Sequence, residues 1–195
     1  IPSKIISVGF PQYEKEKEKY DNKNIKKDTK GILAISVMDK YFAAFILDVA
    51  KILPNFTIYF KLRPDEYGVW RSLYTPEFIN QSNIVIIQDE TPALYELFRK
   101  VSYQISSNST VLYEGLAHRL KTFIFKGWRF EDMLDLVDSN QAILVETPIE
   151  IKNAILENIN MQPTISPEFI YKNNSSYNII NSIEKLIKIE AQNCK

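Results

Sequence analysis

The segment VSYQISSNSTVLYE, residues Val101 to Glu114, contains the pattern that decides the fold: a short apolar strand, a hydroxyl-rich turn and the start of a helix. The hydroxyl groups of the turn belong to Ser106, Ser107, Ser109 and Thr110. The first backbone N–H groups of a helix lack intrahelical partners and carry partial positive charge, so the turn is a predicted binding site for a phosphate group. Serine and threonine are also ordinary N-cap residues, and that alternative needs no ligand.

Glu114 lies one helical turn beyond these hydroxyl groups. It follows Thr110 by four residues and therefore shares its helical face, where a carboxylate could hold a ribose hydroxyl group. The only histidine, His118, follows after four more residues. We interpret it as part of a surface helix end, because Arg119 and Lys121 surround it.

A second polar segment, KLRPDE from Lys61 to Glu66, ends the apolar strand Phe56 to Leu62. Pro64 stops that strand, and the guanidinium group of Arg63 offers a planar fork of donors suited to phosphate. We expect two neighbouring strand ends, one cationic and one rich in hydroxyl groups, to grip the same phosphate without a metal ion. The residues assigned to this nucleotide and phosphate site are Lys61, Arg63, Pro64, Glu66, Ser107, Ser109, Thr110 and Glu114.

From Gly31 onward, apolar strand-like runs alternate with helical patterns, which predicts parallel βαβ units in an α/β, Rossmann-like, doubly wound sheet. The predicted strands are Ile32 to Val37, Phe56 to Leu62, Ile84 to Ile87, Ser102 to Ile105, Lys121 to Phe125 and Ala142 to Val145. Four consecutive branched aliphatic residues from Ile84 to Ile87 predict a central strand buried on both faces. Ala142 to Val145 is the predicted edge strand.

The helix signals divide the chain further. Thr91 and Pro92 predict a helix start, with an N-cap followed by proline at the first helical position. Thr147 to Glu150 predicts another start, for a helix that ends near Asn160. The final helix is amphipathic, and packing of its apolar side on the domain is favoured over contact with a membrane. Its apolar residues are Ile179, Ile180, Ile183, Leu186 and Ile187.

These signals predict three regions. Residues 1–30 hold a short strand, Lys4 to Pro11, and a charged segment read as a solvated linker or frayed helix. Residues 31–160 form the Rossmann-like domain, and residues 161–195 form a loop and the C-terminal helix. Because the sequence does not begin with methionine, we expect that an N-terminal partner domain precedes it.

Composition limits the classes of function. The 24 basic residues equal the 24 acidic residues, so no global field draws the chain to nucleic acid. The one cysteine, Cys194, excludes an intrachain disulfide and a zinc cluster. The apolar runs are shorter than the roughly 20 residues that cross a bilayer, so we expect a cytoplasmic protein, with peripheral attachment to the inner membrane as the alternative. A glycine-rich dinucleotide motif, a P-loop lysine motif and a GxSxG elbow are missing, which disfavours the enzymes that use them.

Polar and aromatic residues after two other strands are candidates for base or sugar contacts. Gln88 and Asp89 follow the Ile84 to Ile87 strand, where a nucleobase edge could be read. Trp128 and Arg129 follow the Lys121 to Phe125 strand and a glycine. As alternatives, Asp89 and the adjacent Glu90 are acids at a helix N-terminus, and Trp128 and Arg129 pack in the core or at the rim.

The motifs KLRPDE and SSNSTVLYEGLA, with an aliphatic strand and a TP-initiated helix between them, resemble the C-terminal half of bacterial GT-B glycosyltransferases of capsule and lipopolysaccharide synthesis. Sialyltransferase-like and polysialyltransferase-like members and the related glycerophosphotransferases of teichoic acid synthesis are the most similar. In this family the first motif is K-x-H-P followed by an acidic residue, and the second is a Ser/Thr run before a helix with glutamate. The likeness covers about Lys4 to Ile159.

The resemblance implies a donor-binding domain for a CMP-, CDP- or UDP-linked sugar, with no further cofactor. It implies a glycan or lipid-linked acceptor, and an N-terminal GT-B domain that carries the catalytic base. Arg63 stands where the family has histidine, and arginine can stabilise a leaving phosphate but cannot be a general acid near neutral pH. We therefore expect a glycosyltransferase half that does not turn over alone. The alternatives are a glycerophosphotransferase or nucleotide-sugar epimerase on the same fold, and a degenerate non-catalytic nucleotide-binding module.

Overall fold

The computed structural model describes residues 8–21, 25–157 and 172–193. The chain divides into two compact units, and Asn24–Thr164 forms the larger one. The smaller unit combines the two ends of the chain, Ile1–Lys23 and Ile165–Lys195. All the strands described below belong to the larger unit.

The larger unit is built on one parallel sheet of six strands in the order β3-β2-β1-β4-β5-β6. The strands are β1 Gly31–Ile35, β2 Thr57–Lys61, β3 Ile84–Ile87, β4 Tyr103–Ser106, β5 Lys121–Phe125 and β6 Ala142–Val145. The strand order reverses direction at β1, which is the doubly wound arrangement. The predicted Rossmann-like α/β class is therefore confirmed, and the crevice for a ligand lies beyond the carboxyl ends of β1 and β4.

Helices connect the strands and precede and follow the sheet in the chain. They are α1 Pro11–Asp21, α2 Lys40–Ile52, α3 Trp70–Leu73, α4 Pro76–Ile79, α5 Leu94–Lys100, α6 Val111–Ala117, α7 Leu134–Asp138, α8 Pro148–Leu156 and α9 Ser175–Asn193. Short 3₁₀ turns occupy Pro64–Glu66 and Phe130–Met133. The predicted start at Thr91 was wrong, because the carboxylate of Asp89 takes the Thr91 N–H (2.7 Å) in a local turn and α5 begins only after the N-cap residue Ala93.

The sheet is covered on both faces. All five residues of β1 are buried, as expected for a central parallel strand, and α2 packs one face with Phe42, Ile46 and Val49. The Asp39 carboxylate accepts the backbone N–H of Tyr41 (2.9 Å) and caps the start of α2. Ile84–Ile87 is an edge strand instead of the predicted central one, and the Val85 side chain is 40 % exposed there. The strand β6 is the other edge, as predicted.

The smaller unit contains α1 and α9. The Glu14 carboxylate accepts the Ser175 N–H (3.0 Å), and the Asn178 side-chain amide donates to the Val8 carbonyl (3.1 Å). The charged run near the start of the chain lies in helix α1. The predicted strand Lys4 to Pro11 is not observed at residues 8–10, and α1 begins at Pro11. Residues 1–7 lie outside the described part. Several apolar side chains of α9 are exposed, and the surface that they cover stays a prediction. Helix α8 ends at Leu156, with Glu157 as its C-cap, before the predicted end near Asn160. The predicted loop after it includes residues 161–171, which lie outside the described part.

Helix α6 approaches β4 closely because position 115 is glycine. The buried Gln104 side chain donates to the Leu112 carbonyl (2.8 Å) and to Thr122 Oγ1 (2.8 Å). A Cβ atom at Gly115 would lie 1.9 Å from Gln104 Oε1. The absence of a side chain at this position therefore lets a buried amide tie α6 to two strands.

We expect Gly115→Ala to lower the free energy of unfolding by about 1–3 kcal/mol, because the new methyl group displaces an amide that makes two buried hydrogen bonds. Urea denaturation would measure the change. Gly68→Ala is the matched control, since a Cβ there meets no atom within 4 Å, and it should leave stability unchanged or slightly higher. Equal effects of the two substitutions would contradict this account of α6 packing.

Candidate functional site

A cleft of about 430 Å³ opens at the carboxyl ends of β1, β2 and β4. Five of the predicted site residues line it: Lys61, Arg63, Pro64, Ser109 and Thr110. The cationic and hydroxyl-bearing strand ends thus face one cleft. They are not neighbours as predicted, because β1 runs between β2 and β4.

The end of β1 supplies the floor between the two groups. Ser36 donates its backbone N–H to the Lys61 carbonyl (3.0 Å), and Ser106 donates its hydroxyl to the Ile35 carbonyl (2.9 Å). Both serine side chains are buried, so these bonds are shielded from water. They hold the ends of β2 and β4 against β1 and so fix the span between Arg63 and Ser109.

Glu66 lies under the cleft and is completely buried. Its carboxylate accepts the Arg63 backbone N–H (2.7 Å), the Ser36 hydroxyl (2.8 Å) and the Tyr74 hydroxyl. Burial, together with this bond to Glu66, raises the pKa of Tyr74 well above its ordinary value. Glu66 does not line the cleft; its contacts instead fix the turn that carries Arg63.

Lys61 is buried and has two close partners. Its ammonium group donates to the Asp89 carbonyl (2.8 Å) and to the Tyr67 hydroxyl. Tyr67 in turn donates to the Glu90 carboxylate (2.9 Å). Burial lowers the pKa of Lys61, although the nearby carboxylates of Glu90 and Asp89 oppose that shift. Burial and the bond to Glu90 raise the pKa of Tyr67 to about 12, so this side chain stays a neutral donor.

Arg63 is the exposed cation of the cleft. Half of its side chain is exposed (50 %), and its Nε atom lies 3.5 Å from the Asp65 carboxylate. At this exposure such a pair contributes at most about 1 kcal/mol, so the guanidinium group keeps its capacity for an anionic ligand. Arg63 therefore has a fixed backbone and an available head group.

The hydroxyl turn divides into buried and accessible residues. Ser109 and Thr110 line the cleft, and the Ser109 hydroxyl accepts the Val111 N–H (3.3 Å) at the start of α6. The predicted site residue Ser107 is completely buried and outside the cleft wall, and its hydroxyl has no hydrogen-bond partner among the described residues. Asn108, which sequence reasoning did not single out, lines the cleft instead.

Glu114 lies away from the cleft wall. Its carboxylate accepts the Tyr95 hydroxyl, and burial raises its pKa, while the bond to Tyr95 opposes that shift. His118, predicted at a surface helix end, is half-buried and stacks on the Phe98 ring with centroids 5.2 Å apart. In the described conformation both side chains support the packing of α5 on α6.

The four candidate base or sugar contacts separate in the structure. Gln88 accepts the indole N–H of Trp70 (3.0 Å), and neither Gln88 nor Asp89 lines the cleft. Arg129 forms an ion pair with Asp132 (2.6 Å). Trp128 is 58 % exposed and lines a second cavity, which Arg63 also lines.

Several residues of the cleft carried no recognisable signal in the sequence. These are Ser36, Val37, Tyr67, Leu94 and Asn108. Ser36 directly follows β1 in the chain, so the rule that ligands bind at strand ends could have found it. Tyr67 and Leu94 reach the cleft through the turn after β2 and the start of α5, which depends on tertiary packing.

Among the described residues, no group of three or more histidine, cysteine, aspartate or glutamate side chains could hold a metal ion. Within the same residues, no helix combines the length and apolar character needed to cross a membrane. The positive charge on the cleft wall comes from Lys61 and Arg63.

We expect Glu66→Gln to destabilise the protein by about 1–3 kcal/mol, because an amide cannot accept hydrogen bonds at both of its polar atoms, and Arg63 N–H and Tyr74 hydroxyl both need an acceptor. Urea denaturation would measure this change. Asp65→Asn, at an exposed neighbouring position, should change stability by less than about 0.5 kcal/mol. A Glu66 variant as stable as the control would refute the positioning role.

The raised pKa of Glu114 predicts a pH-dependent cost of ionisation in the folded state. Below the pKa of Glu114 in the unfolded chain, the acid is protonated in both states and the folded state carries no cost of ionisation. As pH rises through the folded pKa, the wild type should lose stability relative to Glu114→Gln. Glu150→Gln is a control of opposite sign, because N–H groups of Glu146 and Thr147 lower the pKa of Glu150. Thermal unfolding of the three proteins between about pH 4 and pH 8 would show diverging trends; parallel trends would count against the assignment.

Several solved structures are similar in fold to most of this chain. The UDP-GlcNAc 2-epimerase from Neisseria meningitidis bound to UDP-GlcNAc matches with a TM-score of 0.60 and 19% identity, over 88% of this chain and 48% of that one. Spinosyn forosaminyltransferase SpnP matches with a TM-score of 0.59 and 16% identity, over 84% and 45%. The wall teichoic acid polymerase TagF matches with a TM-score of 0.55 and 16% identity, over 95% and 53%.

The chain thus spans about half the length of each of these proteins. Comparisons with protein-family models and with curated protein sequences found no match. At these identities the likeness establishes the fold and leaves activity to be argued from the site. The chain has the Rossmann-like α/β fold of one half of a GT-B enzyme.

Proposed function

We propose that this chain is the donor-binding half of a glycosyltransferase that takes a CMP-, CDP- or UDP-linked sugar. The observation that carries the proposal is the single cleft in which Arg63 and Ser109 meet at the switch point of the sheet. Ligands of doubly wound sheets bind at this point, and the cleft offers both a cation and hydroxyl groups to a phosphate. The GT-B-like fold is consistent with the same reading.

The polar groups of the cleft suggest how a nucleotide lies in it. Arg63 would contact phosphate oxygens from one wall, and the Ser109 and Thr110 hydroxyl groups would donate from the other. Tyr67 and Glu90 also line the cleft, beside Lys61, and the Glu90 carboxylate offers acceptors to a base or ribose. The buried bond from Ser36 to Glu66 keeps Arg63 in place before the ligand arrives.

In the transfer step, an acceptor hydroxyl group attacks the anomeric carbon of the sugar while the bond from that carbon to the phosphate oxygen breaks. Negative charge develops on the departing nucleotide phosphate, where preorganised donors stabilise a transition state most. Arg63 would neutralise part of this charge. It would not protonate the leaving group, because arginine keeps its proton at neutral pH.

We propose a glycan or lipid-linked acceptor, a partner N-terminal GT-B domain that brings the base, and a role in bacterial capsule or lipopolysaccharide synthesis on the cytoplasmic side of the inner membrane. On this view the chain binds donor and does not turn over alone.

Two related activities share the fold and follow as alternatives. The likeness to the teichoic acid polymerase TagF fits transfer of a phosphorylated polyol, and the likeness to the UDP-GlcNAc 2-epimerase fits isomerisation of a nucleotide sugar. A degenerate module that binds nucleotide without catalysis is the third alternative, suggested by Arg63 in place of histidine. Incubation of the full-length protein, with its N-terminal domain, with UDP-GlcNAc, CDP-glycerol and a mixed glycan acceptor, followed by mass analysis of products, distinguishes them.

Arg63→Ala should weaken binding of UDP, CDP or CMP by about 10- to 100-fold, because a charge-assisted bond to phosphate contributes roughly 1.5–3 kcal/mol. Ser109→Ala should weaken it by about 3- to 10-fold for the loss of a neutral hydrogen bond. Isothermal titration calorimetry at low salt would measure both.

Arg71→Ala is the matched control, since Arg71 is an exposed arginine that packs on the Trp70 ring (4.3 Å) and does not line the cleft. It should bind nucleotide as the wild type does. The proposal fails if the wild type binds none of the three nucleotides at millimolar concentration. It also fails if Arg63→Ala and Arg71→Ala bind equally well.

A further inference from the structure

A second cavity, of about 730 Å³, lies beside the nucleotide cleft at the carboxyl ends of β1 and β5. Arg63 lines both cavities, so a ligand whose phosphate sits at Arg63 can extend into either. The side chains that distinguish the second cavity are Met38, Asp39, Tyr41, Asp65 and Trp128. The function proposed above does not use this cavity.

Three large apolar side chains on its wall are exposed to solvent. Trp128 is 58 % exposed, Tyr41 is 69 % exposed and Met38 is 47 % exposed. Single exposed apolar residues are common, but three that line one concave surface mark a binding site. A flat indole with polar neighbours suits the C–H face of a sugar ring, which is apolar on its face and polar at its edge.

The backbone is held in a rare conformation at two points around this cavity. Met38 (φ 57°) and Arg129 (φ 55°) adopt left-handed backbone angles without being glycine. Met38 is itself part of the wall, and Arg129 directly follows Trp128, whose loop begins with a tight turn from Gly127 N–H to the Phe125 carbonyl (2.7 Å). Such strained residues persist where surrounding structure fixes them, and they gather at binding sites.

The charges of the wall favour a neutral ligand. Two carboxylates, Asp39 and Asp65, face two cations, Arg63 and Lys126. The Lys126 ammonium already lies 2.6 Å from the Glu146 carboxylate, and Arg63 is the phosphate contact of the neighbouring cleft. Asp39 accepts the Tyr41 N–H through one oxygen, and Asp65 lies 3.5 Å from Arg63. Once a phosphate engages Arg63, these carboxylates would still accept hydrogen bonds from sugar hydroxyl groups and would disfavour a second anionic group.

Resting on the donor-binding function proposed above, we propose that this second cavity binds the glycosyl group of the donor, and that this group is a neutral pyranose linked to a nucleoside diphosphate. Trp128 packs on the ring, and Asp39 and Asp65 accept its hydroxyl groups. The diphosphate lies at Arg63, between the base in one cavity and the sugar in the other. The same charges disfavour an acidic sugar such as a sialyl group.

Calorimetry on the wild type and Trp128→Ala tests this assignment through a ratio of affinities. The wild type should bind UDP-glucose or UDP-GlcNAc about 5-fold or more tighter than UDP, which corresponds to about 1 kcal/mol from packing on an aromatic ring. In Trp128→Ala this ratio should fall to about 1, and Trp128→Phe should restore part of it. Tyr177→Ala, which removes another exposed aromatic ring (66 %) on α9, should leave the ratio unchanged.

Other outcomes overturn the inference in recognisable ways. UDP binding with a ratio near 1 in the wild type, or with a ratio that survives Trp128→Ala, would refute the sugar subsite and leave the nucleotide cleft intact. Tighter binding of CMP-sialic acid than of CMP, if it depends on Trp128, would refute the neutral sugar. If free methyl glucoside binds as tightly as UDP-glucose and this binding depends on Trp128, the cavity belongs to the acceptor. Failure of UDP, CDP and CMP alike to bind would refute the donor-binding function itself.

Discussion

Hydrogen bonds that continue beyond the strands hold three strand ends at one edge of the sheet. The Ser36 N–H bonds to the Lys61 carbonyl (3.0 Å), and the Ser106 hydroxyl bonds to the Ile35 carbonyl (2.9 Å). These bonds extend the pairing register of β1 with its neighbours. Burial fixes this register, because β1 is covered on both faces and a slip of one residue would move every side chain to the opposite face. The distance across the cleft between Arg63 and Ser109 is therefore set by strand pairing, and the loops that carry these two residues only refine it.

Sequence patterns predicted the strands well and their places in the sheet less well. Ile84–Ile87, Lys121–Phe125 and Ala142–Val145 have the predicted bounds, because each is a compact apolar run that turn-forming or polar residues interrupt. The order of strands depends on crossover connections, so four aliphatic residues in a row could not reveal that β3 lies at an edge. The predicted start of α5 at Thr91 was wrong for a local reason, because the Asp89 carboxylate accepts the Thr91 N–H and forms a turn there instead of a helix start.

The same limit applies to the site, where sequence identified the segments but not the partner of each polar side chain. Arg63, Ser109 and Thr110 reach the cleft, whereas Glu66 accepts a hydroxyl group from Ser36, which is 30 residues away. A carboxylate at a strand end is equally typical of a ligand contact and of a buried support, because both roles need an acceptor at that place. Only burial separates them, and the complete burial of Glu66 follows from how the turn after β2 packs.

Arg63 combines a backbone that is held in place with a side chain that is available to a ligand. The buried Glu66 carboxylate holds its N–H at 2.7 Å, whereas its guanidinium group is half exposed and only 3.5 Å from the nearest carboxylate, Asp65. A rigid attachment lowers the entropic cost of binding, and a weakly paired head group lowers the electrostatic cost of exchanging Asp65 for an anionic ligand. A lysine at this place would keep the charge but lose the planar fork that can contact oxygens toward both cavities. The geometry thus favours arginine at the boundary between the two cavities.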